Sequence, residues 1–261
     1  MSSRPNVLIT GAAAGIGRAT ALRFLNAGYR VGAFDVDELG LASLAQATAS
    51  EHLVTGLLDV TDAEAWRSAL ATFVGPDGTL DVLVNNAGIL SSGRFEEIDL
   101  RLQQRIVEIN VTGVLNGCHT AFDYLARTRG ARVINLASAS AIYGQPELAT
   151  YSATKFAVRG LTEALDLEWR EHDISVTALW PLFVATAMTD EMHTRSTESL
   201  GIRLTADDVA QAVLEAAAAA GKGPVHRAVG LQAKALLSGA QVTPAWALRL
   251  LNRYLAAPRS K

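Results

Sequence analysis

The sequence predicts a single doubly wound α/β domain, a parallel sheet of about seven strands with helices on both faces, and three observations carry that expectation. Seven short apolar runs, at 7–10, 29–34, 53–58, 80–84, 132–136, 174–179 and 225–229, read as strands buried on both faces. Between them lie segments with apolar residues at three- and four-residue spacing, at 18–27, 63–73, 102–127, 153–169 and 206–220, which read as helices. Strand and helix in alternation specify right-handed crossovers between parallel strands. Finally, the 261 residues are 49% apolar and 19% charged, enough to build one sizeable core, and no Pro/Ser-rich linker or internal repeat divides them.

Each element carries its own signal. The first strand runs into Thr10-Gly11-Ala-Ala-Ala-Gly15-Ile16-Gly17, a glycine-rich turn that opens the first helix. Glycines there admit positive φ and close backbone approach, while the helix N-terminus offers free N–H groups to an anion. The spacing is G-x-x-x-G-x-G, and Arg18 stands where a triphosphate loop would need Lys-Ser/Thr. Asp35 ends the second strand, twenty residues beyond Gly15. An acid at that place accepts hydrogen bonds from an adenine ribose and repels a 2′-phosphate. No Lys or Arg occupies residues 12–14 or Val36, so NAD is expected ahead of NADP. Asp37 and Glu38 read as an acidic helix start.

Asp59 and Val60 end the third strand, where Asp59 also fits as the cap of a helix beginning near Thr61. The fourth strand ends in Asn85-Asn86-Ala87-Gly88, and the fifth at Ser138. Tyr151 and Lys155 stand four apart at a helix start, one turn apart on one face. Because Ser138 precedes Tyr151 by thirteen residues, the phenol belongs at the carboxyl edge of the sheet, where open α/β folds bind ligands. The helix at 206–220 ends in an alanine run stopped by Gly221, Gly223 and Pro224. Residues 231–261 hold two short helical patterns, with Trp246, Leu248, Leu250, Leu251 and Tyr254 on an apolar side.

Taken together, Thr10-Gly-x-x-x-Gly-x-Gly17, Asn85-Asn-Ala-Gly88, Ser138 and Tyr151-x-x-x-Lys155 resemble, in order and separation, the short-chain dehydrogenase/reductase family. The resemblance covers about residues 6–186. It implies one NAD(P)-binding Rossmann-like domain over 1–261 and reversible hydride transfer between a nicotinamide and an alcohol or carbonyl carbon. By the same resemblance Tyr151 is the general acid/base and Ser138 binds the substrate oxygen. Lys155 lowers the phenol pKa and holds the nicotinamide ribose, and Asn110 supports a proton relay to that lysine. Gly11, Gly15, Ile16, Gly17, Asp35, Asp59, Val60, Asn86, Ala87, Gly88, Tyr151, Lys155, Pro181 and Thr186 are then the cofactor contacts. One departure stands out: the family usually has Pro-Gly where this chain has Pro181-Leu182, and leucine lacks glycine's conformations and fills space. A homotetramer or dimer built on the 102–127 and 153–169 helices is also implied.

The physical demand can be stated separately. An alcohol gives up a proton and a hydride, so a base near working pH is needed. Bringing a phenol from about 10 to about 7 takes roughly 4 kcal/mol of phenolate stabilisation, which a neighbouring ammonium and an oxidised nicotinamide both favour. The segments expected to line the substrate pocket, 89–97, 140–148 and 182–204, carry Ile142, Tyr143, Leu148, Leu182, Phe183, Met188 and Met192. A mainly apolar secondary alcohol or ketone is therefore expected, with Ser138, Ser140, Tyr143, Tyr151 and Phe183 as its contacts and 182–204 as its lid.

Other chemistries find little support. Lys and Arg number 23 against 26 acids, a net charge of −3, which argues against a nucleic-acid partner. Cys118 is the one cysteine, so an intramolecular disulfide or multi-cysteine zinc site is excluded and a buried bystander is expected. The histidines at 52, 119, 172, 193 and 226 lack metal-binding spacing, so no metal is expected, and no serine sits in a G-x-S-x-G elbow. No stretch resembles a signal peptide or the roughly 20-residue apolar span of a membrane helix, so a soluble, cytoplasmic protein is expected.

Overall fold

The computed structural model describes residues 4–75, 78–186, 188, 194, 201–219, 221, 223–243, 246, 247 and 250. In chain order they form β1 (Asn6–Thr10), α1 (Gly15–Asn26), β2 (Arg30–Asp35), α2 (Glu38–Thr48), β3 (Leu53–Leu57), α3 (Ala63–Val74) and β4 (Val82–Asn85). There follow α4 (Leu100–Val107), α5 (Gly113–Leu125), β5 (Arg132–Leu136), α6 (Ala149–Glu168) and β6 (Ser175–Pro181). The short strands β7 (Val184–Ala185) and β8 (Leu204–Thr205), then α7 (Ala206–Ala218), β9 (His226–Val229) and α8 (Leu231–Val242), complete the described chain.

All seven expected strands enter one sheet in the order β3-β2-β1-β4-β5-β6-β9, and every pairing is parallel. The two-residue alternation of a strand builds two cores from each. In β1, Val7 and Ile9 join Phe24, Leu44 and Val213 on the α1/α2/α7 face, while Leu8 joins Trp66, Phe73 and Trp180 on the α3/α5/α6 face. Helix starts follow carboxylate and hydroxyl caps. Asp37 accepts from the Gly40 N–H, Asp62 from Glu64 and Ala65, and Thr205 with Asp208 forms a capping box on α7.

Two expectations need correction. Asp62, not Asp59, caps α3; Asp59 instead accepts the backbone N–H and hydroxyl of Thr61, two residues on, because its strand ends one turn before the helix begins. The helix expected at 102–127 is α4 and α5 joined by a π-helical turn, Glu108–Thr112, since periodicity cannot register one inserted residue per turn. Helix α2 carries only Leu41 and Leu44 as buried residues, too sparse a pattern to mark more than its acidic start. β7 and β8 pair in parallel, bracketing the segment read as a lid. Residues 187, 189–193 and 195–200 of that segment, with Met192, lie outside the described residues, as do Ala220, Leu248 and 251–261 with Leu251 and Tyr254. No helix among the described residues is long and apolar enough to cross a membrane.

Candidate active site

A cleft of about 350 Å³ opens at the carboxyl ends of the strands, beside the point where the strand order reverses from β1 to β4. Its floor is the β1–α1 turn. Gly11 has φ +65°, and a Cβ there would meet the Ala87 Cα at 2.9 Å; one on Gly17 would strike the Gly11 carbonyl oxygen at 1.9 Å. The Asn85-Asn86-Ala87-Gly88 turn locks this geometry. Asn86 Nδ2 donates to the Thr10 and Gly11 carbonyls at 2.9 and 3.1 Å, and the Asn86 and Ala87 N–H groups both donate to Thr10 Oγ1 at 3.1 Å. The N-terminus of α1 has no side-chain cap and no acid in its first turn. Its N–H groups are thus left to a ligand anion, which suits a pyrophosphate.

At the end of β2, Asp35 is held rigidly: its two carboxylate oxygens accept the N–H groups of Ala13, at 2.9 Å, and of Asp37, at 3.0 Å. Asp35 thereby ties the glycine turn to the second strand while lining the cleft. Asp59 and Val60 lie farther along the same wall. Arg105 on α4, absent from the sequence reading, reaches back from α4 to Asp59 at 3.0 Å and Thr61 at 3.3 Å and also lines the cleft. Together with the Thr61 hydrogen bonds it holds the Asp59 carboxyl below the usual range, against the opposing effect of partial burial. An isolated arginine five residues before Asn110 gives no sequence signal; only the fold brings α4 against the end of β3.

The opposite wall carries the chemistry. Ser138, at the end of β5, takes an extended conformation, its Oγ accepting the Ser140 N–H at 3.1 Å. Tyr151, in the first turn of α6, lines the cleft together with Ser138. One turn on, Lys155 is only 6% exposed; its Nζ donates to the Leu136 carbonyl at 2.8 Å and sits 5.3 Å from the Tyr151 ring centroid. Burial pushes the phenol up to about 12, an effect the Ser138 hydroxyl opposes, and pushes the ammonium down to about 8. The phenol near 7 expected from sequence is therefore not a property of the protein alone. Burial favours the neutral phenol, and the Lys155 Nζ is directed to the Leu136 carbonyl and the ring face.

Asn110 lies behind this wall, within the π turn. Its Oδ1 accepts the Ile89 N–H and its Nδ2 donates to the Ile89 carbonyl, both at 2.9 Å, and to Thr154 Oγ1 at 3.2 Å. Through Thr154, the residue before Lys155, it braces the exit of β4 against α6, and it does not line the cleft.

At the far end, Ser140, Leu148, Pro181, Leu182, Phe183, Thr186 and Met188 complete the lining. Thr186 faces the glycine turn, with its Cγ2 3.5 Å from where a Gly15 Cβ would lie. Tyr143, expected as a substrate contact, is buried and is not among the residues lining the cleft. Val36 and Leu58 line it without having been anticipated. Cys118 is buried in the α5 core beside Asn85 Nδ2, its thiol pushed up to about 12 by desolvation. Among the described residues no cluster of three His, Cys, Asp or Glu could hold a metal.

A family profile described as short chain dehydrogenase matches residues 5–197. Among curated proteins, the chain is 38% identical over 184 residues to a 3-alpha-(or 20-beta)-hydroxysteroid dehydrogenase of Mycobacterium bovis, covering 70% of each chain. It is 32% identical over 215 residues to a 3-oxoacyl-[acyl-carrier-protein] reductase of Thermotoga maritima, covering 79% of this chain and 87% of that one. Among solved structures, a 3-ketoacyl-(acyl-carrier-protein) reductase from Brucella melitensis complexed with NADH superposes with a TM-score of 0.79 at 28% identity, over 87% of this chain and 96% of that one.

Proposed function

The chain belongs to the short-chain dehydrogenase/reductase family, and on that premise we propose that it is an NAD(H)-dependent oxidoreductase moving a hydride between the nicotinamide and a mainly apolar secondary alcohol or ketone. The observation that carries the reading is the single wall on which Ser138, Tyr151 and Lys155 meet, continuous with a glycine turn shaped for a pyrophosphate. When bound, the nicotinamide supplies the hydride acceptor or donor. Gly11, Gly15, Ile16, Gly17 and the Asn86-Ala87-Gly88 turn would hold its diphosphate end, with Asp35, Asp59 and Val60 at the adenosine and Lys155, Pro181 and Thr186 at the nicotinamide half.

The protein's own part is proton handling. Tyr151 Oη gives its proton to a developing alkoxide in ketone reduction, a direction its raised pKa suits, and takes it back in alcohol oxidation. Ser138 orients the substrate oxygen beside it. Lys155, still charged below about pH 8, favours the phenolate. The steroid dehydrogenase and acyl-carrier-protein reductase relatives both act on hydroxyl or keto carbons by name, which fits an apolar chamber of Leu148, Leu182, Phe183 and Met188.

Asp35, with no cation at 12–14 or 36, supports NAD over NADP; Arg18 turns its guanidinium toward the Gly40 carbonyl, 3.4 Å away. An NADP(H)-dependent reductase of the same family is the alternative on cofactor, and a non-catalytic NAD sensor the alternative on activity. We further propose a cytoplasmic homo-oligomer, a dimer or tetramer, assembled through α4–α5 and α6. Reduction of NAD and of NADP with a panel of secondary alcohols tests the main reading. A higher kcat/KM with NAD is expected. A higher value with NADP overturns the cofactor choice, and tight NAD binding without turnover of any alcohol makes the protein a sensor.

A further inference from the structure

Behind the catalytic cleft lies a second, wider cavity of about 970 Å³, between α7, β9 and the start of α8. Its lining is mixed: Leu179, Leu204, Val229 and Leu237 stand among the charged Arg203, Asp208, Glu215, Arg227 and Lys234. Among the described residues Leu182 alone lines both spaces. It is 8% exposed and belongs to one buried apolar cluster with Leu148, Phe183 and Ala233, against which Tyr151 also packs. The residue stands directly after Pro181, the last residue of β6, so the strand fixes where the side chain projects.

We propose that Leu182 is a specificity-determining residue, the partition that closes the substrate chamber and shuts it off from the wider cavity beyond. This rests on the alcohol/ketone reading of the same site. A leucine side chain at the boundary gives an apolar substrate an apolar end wall and leaves no path for a chain longer than the chamber. Replacing it with a smaller residue removes atoms that neither the strand nor Ala233 of α8 can replace, and the two spaces become one. The departure from Pro-Gly at this position therefore sets substrate length. Extra methylenes that cannot be accommodated must displace packed side chains, whereas methylenes admitted to a cavity are desolvated with gain.

The test is a series of 2-alkanols, from propan-2-ol through hexan-2-ol to dodecan-2-ol, assayed with NAD for the wild type, Leu182→Ala and Leu182→Met. The wild type should show a fall in kcat/KM beyond an intermediate length. Leu182→Ala should raise the ratio of the dodecan-2-ol to the hexan-2-ol value by roughly tenfold or more, and Leu182→Met, of similar volume, should keep the wild-type cut-off. Cooperative thermal unfolding of both variants establishes that they are folded. An unchanged cut-off in folded Leu182→Ala overturns the partition, as does a cut-off that moves equally in Leu182→Met. A wild type that turns over no alcohol of any length contradicts the reading of the site itself, a result distinct from either.

Discussion

Burying an ammonium is costly, and Lys155 bears that cost at the centre of the site. Its pKa falls from 10.5 to about 8 because the pocket desolvates it, so the folded state binds its proton more weakly than the unfolded chain does. The sign follows: below pH 8 the charge destabilises the fold, by roughly 3 kcal/mol at full protonation, and the penalty fades as pH rises from 8 to 10.5. Lys155→Met should therefore be more stable than the wild type at pH 7, by roughly 2 kcal/mol once the orphaned Leu136 carbonyl is counted, with the difference shrinking toward pH 10.5. The same substitution removes a positive charge beside the phenol, so any residual alcohol oxidation should require higher pH. Urea unfolding across pH and a kcat/KM profile check both; a variant that is less stable at pH 7 and has an unshifted profile contradicts this account. Much at this scale was legible in sequence. Asp35, Ser138, Tyr151 and Lys155 announce themselves through fixed offsets from strand ends. Arg105 does not, because its partner Asp59 is forty-six residues away and only tertiary packing joins them.

Elements were legible in proportion to how buried they are. The central strands, apolar on both faces, stand within one or two residues of their expected bounds, whereas α2, with two buried leucines, left only its acidic cap as a signal. The π turn at Glu108–Thr112 was invisible for a different reason: it preserves the helical pattern around it while turning Asn110 inward to grip the Ile89 backbone. Helices α5 and α6 also carry surface that a monomer would rather bury. Leu115 and Phe156 are 50% and 40% exposed, and Leu167 is 65% exposed. A second copy set against these helices would cover them, and light scattering should give a mass of at least two chains. Leu115→Glu should lower it; a wild type of one chain's mass contradicts the proposed assembly.

Across the whole molecule, one sheet joins two sets of demands. Its central strands β1, β4 and β5 end at the glycine turn, the Asn85–Gly88 turn and Ser138, so cofactor pocket and catalytic wall share a rigid scaffold whose side chains form two packed cores. The described residues from Leu182 onward supply part of the cleft lining, the edge strand β9 of the same sheet and the helices α7 and α8. Here sequence said least, since apolar residues such as Leu182 and Phe183 look alike whether they line a pocket or fill a core. The central claim is that the Tyr151 hydroxyl carries the proton. Its most direct test is the rate of NAD reduction by Tyr151→Phe with the best secondary alcohol, alongside NAD affinity by fluorescence titration. Loss of a hydroxyl that touches the reacting oxygen should lower turnover by roughly a thousandfold or more with NAD binding retained; turnover within about tenfold of the wild type would contradict it.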